Sequence, residues 1–300
     1  MTADSGPLDI PAELLDWLVE REGDAARSWV ASLPVLIEQM CDRWDLTVAG
    51  PPIGGTFAIV IPVERGGTRV ALKCVWLGNS IGDEVTGLRA WNGHGTVRLL
   101  DVDPGHNVLL LEWLDPDRSL SAVPAMEAAP IAGRLIRTLA VPALPDVKRM
   151  QERVDEVVVR ISARWDALGQ PFPRAQVRRA IEVERRLAPR STPLLVNWDL
   201  HHGNILAGER VPWLAIDPMP FAGDPEVSIW PMLLRRVDEM PNPKALRAFF
   251  DRVVEAGGLD PERARAWTLF RAIDYWLWAL DHGLTEDPVR CAKVINWLAL

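Results

Sequence analysis

Asp199, Asn204 and Asp217 are three polar residues set between apolar runs, close enough in sequence to act on one group. Asp199 and Asn204 stand five residues apart, across a turn that contains Gly203. Asp217 follows Asn204 by thirteen residues, where the apolar run Trp213-Leu214-Ala215-Ile216 ends ahead of Pro218. One carboxylate can accept or orient a proton, and a carboxylate with an amide oxygen can hold a divalent cation through hard donors. A base and two metal ligands between apolar runs form the arrangement that phosphoryl transfer needs. Each residue also has an ordinary reading, as an Asx turn, a left-handed turn position and a strand terminator. The set therefore gains meaning only if the rest of the chain supplies a phosphate-binding half.

Lys73 is the candidate for that half. It lies in Val70-Ala71-Leu72-Lys73, on the second strand of a hairpin preceded by a loop with Gly54, Gly55 and Thr56. A strand Lys beneath a glycine loop can reach nucleotide phosphates; an exposed strand Lys is the ordinary alternative. Glu84, early in the next helix, could orient Lys73 as an ion pair, with Asp83 beside it as a competitor. First-turn acids also arise simply from the helix dipole. Only four of the 33 basic residues are Lys, so a Lys inside an apolar strand stands out. His201 and His202 invite a metal reading, but adjacent side chains diverge and no second His/Cys cluster exists to complete a zinc site. No Gly-x-Ser-x-Gly or Cys/His nucleophile set is present.

The elements that must position these residues follow from hydrophobic period. Helical spacing predicts a helix over Pro11–Gln39, with Leu14, Leu15, Leu18 and Val19 on one face. The period then changes to two. Strands are expected over Leu46–Val48, Phe57–Val63 and Arg69–Val75, with a loop at Pro51–Thr56 and a hairpin turn at Gly66-Gly67. A helix over Gly82–Trp91 and strands over Val97–Leu100 and Val108–Leu111 complete an antiparallel meander. The pattern breaks at Glu112–Pro116. Beyond it helices are expected over Pro130–Leu139, Val147–Leu168, Arg174–Leu187, from near Pro225, and over Pro243–Ala256, Pro261–His282 and Asp287–Leu300. The stretch 194–219 interrupts them.

With 300 residues the chain is longer than one core usually serves, so two lobes sharing one cleft are expected. A net charge of −8 argues against general nucleic-acid binding and suits either a solvated acidic surface or a cationic substrate. The scattered cysteines Cys41, Cys74 and Cys291 form no disulfide framework, and a cytoplasmic location is expected. The acidic N-terminus lacks a signal-like apolar run, and no apolar stretch reaches the ~18 residues needed to span a membrane. Most of the fourteen Trp residues are expected in the core.

Several further motifs accompany these residues: Asp42-Arg43-Trp44, Gly87-Leu88-Arg89-Ala90-Trp91, Val97-Arg98-Leu99-Leu100-Asp101, Leu109-Leu110-Leu111-Glu112, Trp198-Asp199-Leu200-His201, Trp213-Leu214-Ala215-Ile216-Asp217-Pro218, Gly223-Asp224-Pro225, Ala266-Trp267-Thr268-Leu269 and Gly283-Leu284-Thr285. With them the chain resembles the aminoglycoside phosphotransferases, and within these the aminoglycoside/hydroxyurea antibiotic-resistance kinase group. The resemblance implies an α+β, bilobal protein-kinase-like fold. A small antiparallel-sheet lobe with the N-terminal helix would occupy residues 1–113, and a larger, mainly helical lobe residues 114–300. It implies Asp199 as the catalytic Asp, Asn204 and Asp217 as Mg²⁺ ligands, Lys73 as the nucleotide-phosphate Lys and Glu84 as its partner. Gly54, Gly55 and Thr56 would cradle phosphate in a loop shorter than the full kinase pattern. Glu112, Trp113 and Leu114 would form an interlobe hinge whose backbone meets the purine.

The activity so implied is ATP- or GTP-dependent, Mg²⁺-assisted phosphorylation of a hydroxyl on a small polar molecule, foremost a streptomycin-type aminoglycoside. A metabolic kinase for an amino sugar and a nucleotide-binding pseudokinase are the alternatives. A monomer is the family default. Asp274, Asp281 and Glu286, with Trp276 and Trp278, are the candidate contacts for a cationic substrate. Two positions depart from the family pattern. Asn197 stands where His usually precedes the catalytic Asp by two, and Ser228 where Asp usually follows Gly-Asp-Pro. Together they form a substitute brace for the loop, or else they leave it looser and less active.

Overall fold

The computed structural model describes residue 10 and residues 15–298. The chain divides into two compact units: one runs to Gly93 and adds Val97–Leu114, and the other takes His94–Thr96 and Asp115 onward. Among the described residues no helix is long and apolar enough to cross a membrane.

The first unit opens with two helices rather than one: α1 (Asp16–Glu22) and α2 (Asp24–Trp44). Gly23 separates them at φ 66°, a left-handed value that costs Gly little, and its N–H closes α1 on the Val19 carbonyl. Residues 11–14, including Leu14 of the expected apolar face, lie outside the described residues. The helix outruns Gln39 because Leu36, Ile37 and Met40 extend its buried stripe.

A six-stranded antiparallel sheet follows: β1 (Thr47–Val48), β2 (Ile53–Gly54), β3 (Ala58–Arg65), β4 (Thr68–Val75), β5 (Leu99–Asp103) and β6 (Val108–Glu112). Its order is β1-β3-β4-β6-β5, with β2 also on β3. The expected loop at Pro51–Thr56 thus contains a short strand. The β3–β4 turn uses Gly66 and Gly67 at positive φ, as the sequence predicts. Ile59, Ile61, Val63, Val70, Leu72 and Cys74 share one core with α1 and α2. Lys73 alternates out of that set and so projects from the other face. Helix α3 (Gly82–Trp91) connects β4 to β5.

The second unit is mainly helical: α4 (Ala125–Leu139), α5 (Met150–Ala167), α6 (Arg174–Leu187), α7 (Ile229–Arg236), α8 (Pro243–Gly257), α9 (Pro261–Asp281) and α10 (Glu286–Leu298). Helix α4 begins five residues before Pro130, the start read from sequence. A helix-interior Pro frees the carbonyl four residues back. Here that carbonyl, Met126, accepts a 3.2 Å bond from Arg252 of α8. The two helices lie very close, since a Cβ on Gly133 would stand 2.3 Å from the Val253 carbonyl.

Five short strands interrupt the helices: β7 (Asp115–Ser119), β8 (Leu194–Asn197), β9 (Ile205–Ala207), β10 (Leu214–Ala215) and β11 (Pro220–Gly223). The polar β7, Asp-Pro-Asp-Arg-Ser, has no apolar alternation to announce it and exists by pairing with β9.

Candidate active site

Strand register brings Asp199, Asn204 and Asp217 together. Strand β8 runs into the 198–204 loop and out along β9; β10 runs into the 216–219 loop and out along β11. The end of β8 pairs with the start of β11, Asn197 opposite Pro220. The start of β9 pairs with the end of β10, Ile205 opposite Ala215. Both ends of one loop are thereby fixed beside both ends of the other, so the loops run side by side. Backbone bonds fasten them: Trp198 N–H donates to Met219 at 2.8 Å, and Ile216 N–H to Asn204 at 2.9 Å. Asp217 takes φ 47°, a value that Asp tolerates better than most residues.

Asn197 is the clasp. Its Oδ1 accepts from Asp199 N–H at 3.1 Å and from Met219 N–H at 3.0 Å, one from each loop. Two N–H donors facing one atom require oxygen there, which fixes the amide orientation. The Asn197 side chain is fully buried, and its Nδ2 has no partner among the described residues. The Ser228 hydroxyl donates to the Asn197 carbonyl at 2.7 Å. Asn197 and Ser228, the two departures from the family pattern, are therefore directly bonded to each other.

Sequence reasoning did not single out Arg271 of α9. This buried guanidinium donates through Nη1 to the carbonyls of Trp198 (2.5 Å) and Val227 (2.9 Å) and stacks on the Trp198 ring at 4.0 Å. Burial pushes its pKa down to about 9, against the opposing pull of the Asp199 carboxylate. A cation on the apolar stripe Trp267, Phe270, Arg271 was the available signal. Asp224 was likewise quoted only as part of a motif. It is fully buried and accepts from Trp267 Nε1 (2.7 Å), Thr192 N–H (2.8 Å) and Arg263, so it anchors the end of β11 to α9.

Among the described residues the Asp199 carboxylate has no hydrogen-bond or ion-pair partner. His201, half-buried beside it, is held below the usual imidazole pKa by burial, while Asp199 and Asp217 both pull the other way and Arg235 adds to the lowering. One imidazole thus feels both carboxylates. A Cβ on Gly203 would come within 3.0 Å of that ring, so a larger residue there would require the imidazole to shift. His202 points the opposite way, buried near Phe249, with both ring nitrogens unpartnered among the described residues. Burial first, and then the charge of Arg236, push its pKa down to about 3. The Asn204 side-chain amide lies 3.5 Å from the Asp199 carbonyl.

In the first unit, Lys73 sits mid-sheet, opposite Val60 on β3 and Leu109 on β6. Its Nζ donates to both Glu84 oxygens, at 2.8 and 2.9 Å. A buried cation is costly unless paired, and the acid in the first turn of α3 meets that need. Gly54 pairs with Ile59, and Gly55 N–H donates to the Ala58 carbonyl at 2.8 Å, so Gly54, Gly55 and Thr56 belong to a tight hairpin. Glu112 ends β6 with its N–H on the Arg98 carbonyl; Trp113 stacks under Arg69 at 4.0 Å, and Leu114 closes the unit.

The five substrate-contact candidates separate. Asp281 pairs with Arg164 at 2.5 Å, and Glu286 with Arg290 at 2.9 Å. Trp276 packs on Phe172 at 4.6 Å, and Trp278 lies between Tyr275 (5.2 Å) and His282 (4.2 Å). Asp274 shares one partner with Asp199, since both carboxylates act on the Arg271 guanidinium. Burial raises its pKa, against the pull of Arg153, Arg271, Arg164 and Arg160.

Comparison with known proteins agrees with this geometry. Residues 43–283 match the family model described as aminoglycoside/hydroxyurea antibiotic resistance kinase. The chain belongs to this family. It is 38% identical to a streptomycin 6-kinase of Streptomyces glaucescens over 289 residues, 94% of each chain. It is also 38% identical to a hydroxyurea phosphotransferase of Kitasatospora aureofaciens, over 96% of this chain and 86% of that one. Among solved structures, the aminoglycoside phosphotransferase APH(4)-Ia superposes with a TM-score of 0.59 at 16% identity, covering 87% of this chain and 98% of that one. That likeness shows the protein-kinase-like fold, here an antiparallel-sheet N-terminal part and a helical remainder. As a member of the antibiotic-resistance kinase family, the chain is a phosphotransferase acting on a hydroxyl group.

Proposed function

We propose that this kinase transfers the γ-phosphoryl group of ATP, with Mg²⁺, to a hydroxyl of a streptomycin-type aminoglycoside. The observation that carries the chemistry is the paired-loop geometry, which sets Asp199 beside Asn204 and Asp217. The 38% identity to a streptomycin 6-kinase carries the substrate class.

Asp199 is the base. Its carboxylate orients the acceptor hydroxyl and takes its proton as oxygen attacks the γ-phosphorus in line. The new bond forms from the acceptor oxygen, and the bond to the bridging oxygen of the leaving ADP breaks. Lys73, aligned by Glu84, neutralises charge on the nucleotide phosphates. The glycine hairpin contributes backbone N–H groups to them. The Glu112 N–H is used within the sheet, so purine contacts would come from the Glu112 carbonyl and the Trp113 and Leu114 backbone.

Asn204 and Asp217 would hold the Mg²⁺. The donor set fits: both offer hard oxygens, and Mg²⁺ takes few protein ligands, completing its octahedron with phosphate and water. Bound there, the ion would neutralise charge developing on the phosphates.

Asp274 is the favoured acid for a cationic group of the substrate, because Asp281 and Glu286 are held in direct ion pairs with Arg164 and Arg290, whereas the arginines around Asp274 act on it at longer range. The similarity to a hydroxyurea phosphotransferase favours a second acceptor, hydroxyurea, with the same machinery. Phosphate transfer from ATP to streptomycin and to hydroxyurea, measured side by side by mass spectrometry, tests the choice. Transfer to streptomycin at a kcat/KM at least ten times that for hydroxyurea is expected; the reverse order would reassign the substrate.

A further inference from the structure

The glycine hairpin has little stiffness of its own, because Gly loses more backbone freedom on ordering than any other residue. Its tip ends at Phe57, and Phe57 is fastened from two sides. The Phe57 ring meets Trp17 of α1 edge-on, with centroids 5.2 Å apart and planes at 80°. The Phe57 carbonyl accepts from Trp76 N–H at 2.8 Å, and the Trp76 indole meets Trp29 of α2 at 5.5 Å and 74°. Arg21 adds its guanidinium over the Trp17 ring at 5.3 Å. Trp17 stays 47% exposed, so core burial does not account for a Trp at this position; its aromatic partner is the hairpin tip. The family match begins at residue 43, so α1 and nearly all of α2 precede it.

We propose that α1 is a clamp on the glycine hairpin, with Trp17 a positioning residue for nucleotide binding that acts through Phe57. The proposal rests on the reading that Gly54, Gly55 and Thr56 hold the nucleotide phosphates. Ordering a mobile loop at the moment of binding opposes affinity, and an ordered loop avoids that cost. Loss of the Trp17 ring removes one edge-to-face contact, which corresponds to a loss of nucleotide affinity of about three- to tenfold. Trp17 acts through Phe57 at the hairpin tip, so kcat and the acceptor KM should hold.

The test uses the full-length enzyme and calorimetric titration with MgATP and MgADP. Trp17→Ala and Phe57→Ala should each weaken nucleotide binding by about three- to tenfold, the double variant should be no weaker than the weaker single variant, and Trp17→Phe should restore most of the affinity. Gly55→Val serves as the control for the phosphate-loop reading. If Gly55→Val weakens binding while Trp17→Ala matches the parent, the clamp is wrong and the loop reading stands. If Gly55→Val also matches the parent, the loop reading fails and the clamp fails with it. Additive effects of Trp17→Ala and Phe57→Ala would likewise overturn the clamp.

Discussion

The side-chain oxygen of Asn197 lies 3.0 Å from the backbone nitrogen of Met219, and this hydrogen bond ties the strand end before Asp199 to the loop that carries Asp217. The same oxygen accepts from Asp199 N–H, and Ser228 secures the Asn197 carbonyl. Asn197 and Ser228 thereby brace the loop that carries Asp199. Asn197→Ala would leave both N–H groups without their acceptor, a cost of about 1–3 kcal/mol. A displaced base also loses in-line geometry, so kcat should fall by roughly ten- to a hundredfold. Asn197→Asp keeps the acceptor and should retain more activity than Asn197→Ala. Steady-state kinetics with urea unfolding checks both effects; equal loss in the two variants would deny the acceptor role.

Lys73 is buried and forms a two-point ion pair with Glu84, and breaking that pair removes charge compensation from a buried cation. Glu84→Gln should raise the nucleotide KM by about tenfold and lower kcat, because Lys73 loses its alignment while keeping its charge. Lys73→Ala should reduce kcat/KM by about a hundredfold or more. The acceptor KM should move little in either variant.

Chelation should abolish transfer, and Mg²⁺ should restore it. Asp217→Ala and Asn204→Ala should each raise the Mg²⁺ concentration needed for half-maximal rate, Asp217→Ala by more because it removes a charged donor. A metal titration of initial rates reads this directly, and unchanged half-saturation in both variants would remove them from the metal site.

His202 makes stability depend on pH. Its ordinary pKa of 6.5 applies in the unfolded chain, and the fold pushes it down to about 3. Between these values the unfolded state binds a proton that the folded state refuses, so stability rises with pH. Its contribution is complete above about pH 6.5 and is lost as pH falls toward 3, at up to about 1.4 kcal/mol per pH unit. His201, shifted the same way, adds in the same direction. His202→Leu should flatten the fall in urea midpoint between pH 6.5 and 4, and an unchanged slope would contradict the assignment.

What the sequence disclosed follows from how local each signal is. Asp199, Asn204, Asp217, Lys73 and Glu84 could be singled out from sequence because short spacings and strand or helix context mark them, and the fold sets Lys73 against Glu84 and the other three on neighbouring loops. Glu84 accepts from Lys73 through both carboxylate oxygens, a pairing that period alone could not predict. Strand β7 was illegible because pairing, rather than composition, makes it a strand. The division of the first helix at Gly23 was missed because one Gly inside a strong apolar period does not announce a left-handed break. Arg271 and the link between Asn197 and Ser228 were hidden for another reason. They join segments 73 and 31 residues apart, and only tertiary packing brings these together. The acids on α9 and α10 looked alike in sequence, whereas partners on other elements distinguish Asp274 from Asp281 and Glu286.

In the proposed reaction Asp199 drives phosphate transfer from ATP to a streptomycin-type acceptor. The direct measurement compares wild type with Asp199→Ala for transfer of the labelled γ-phosphoryl group to streptomycin, with nucleotide affinity measured on the same samples. The wild type should yield singly phosphorylated streptomycin. Asp199→Ala should lose about 10²–10⁴-fold in kcat while binding nucleotide as before. Nucleotide binding without transfer to streptomycin or hydroxyurea in the wild type, or undiminished transfer in Asp199→Ala, would contradict the account.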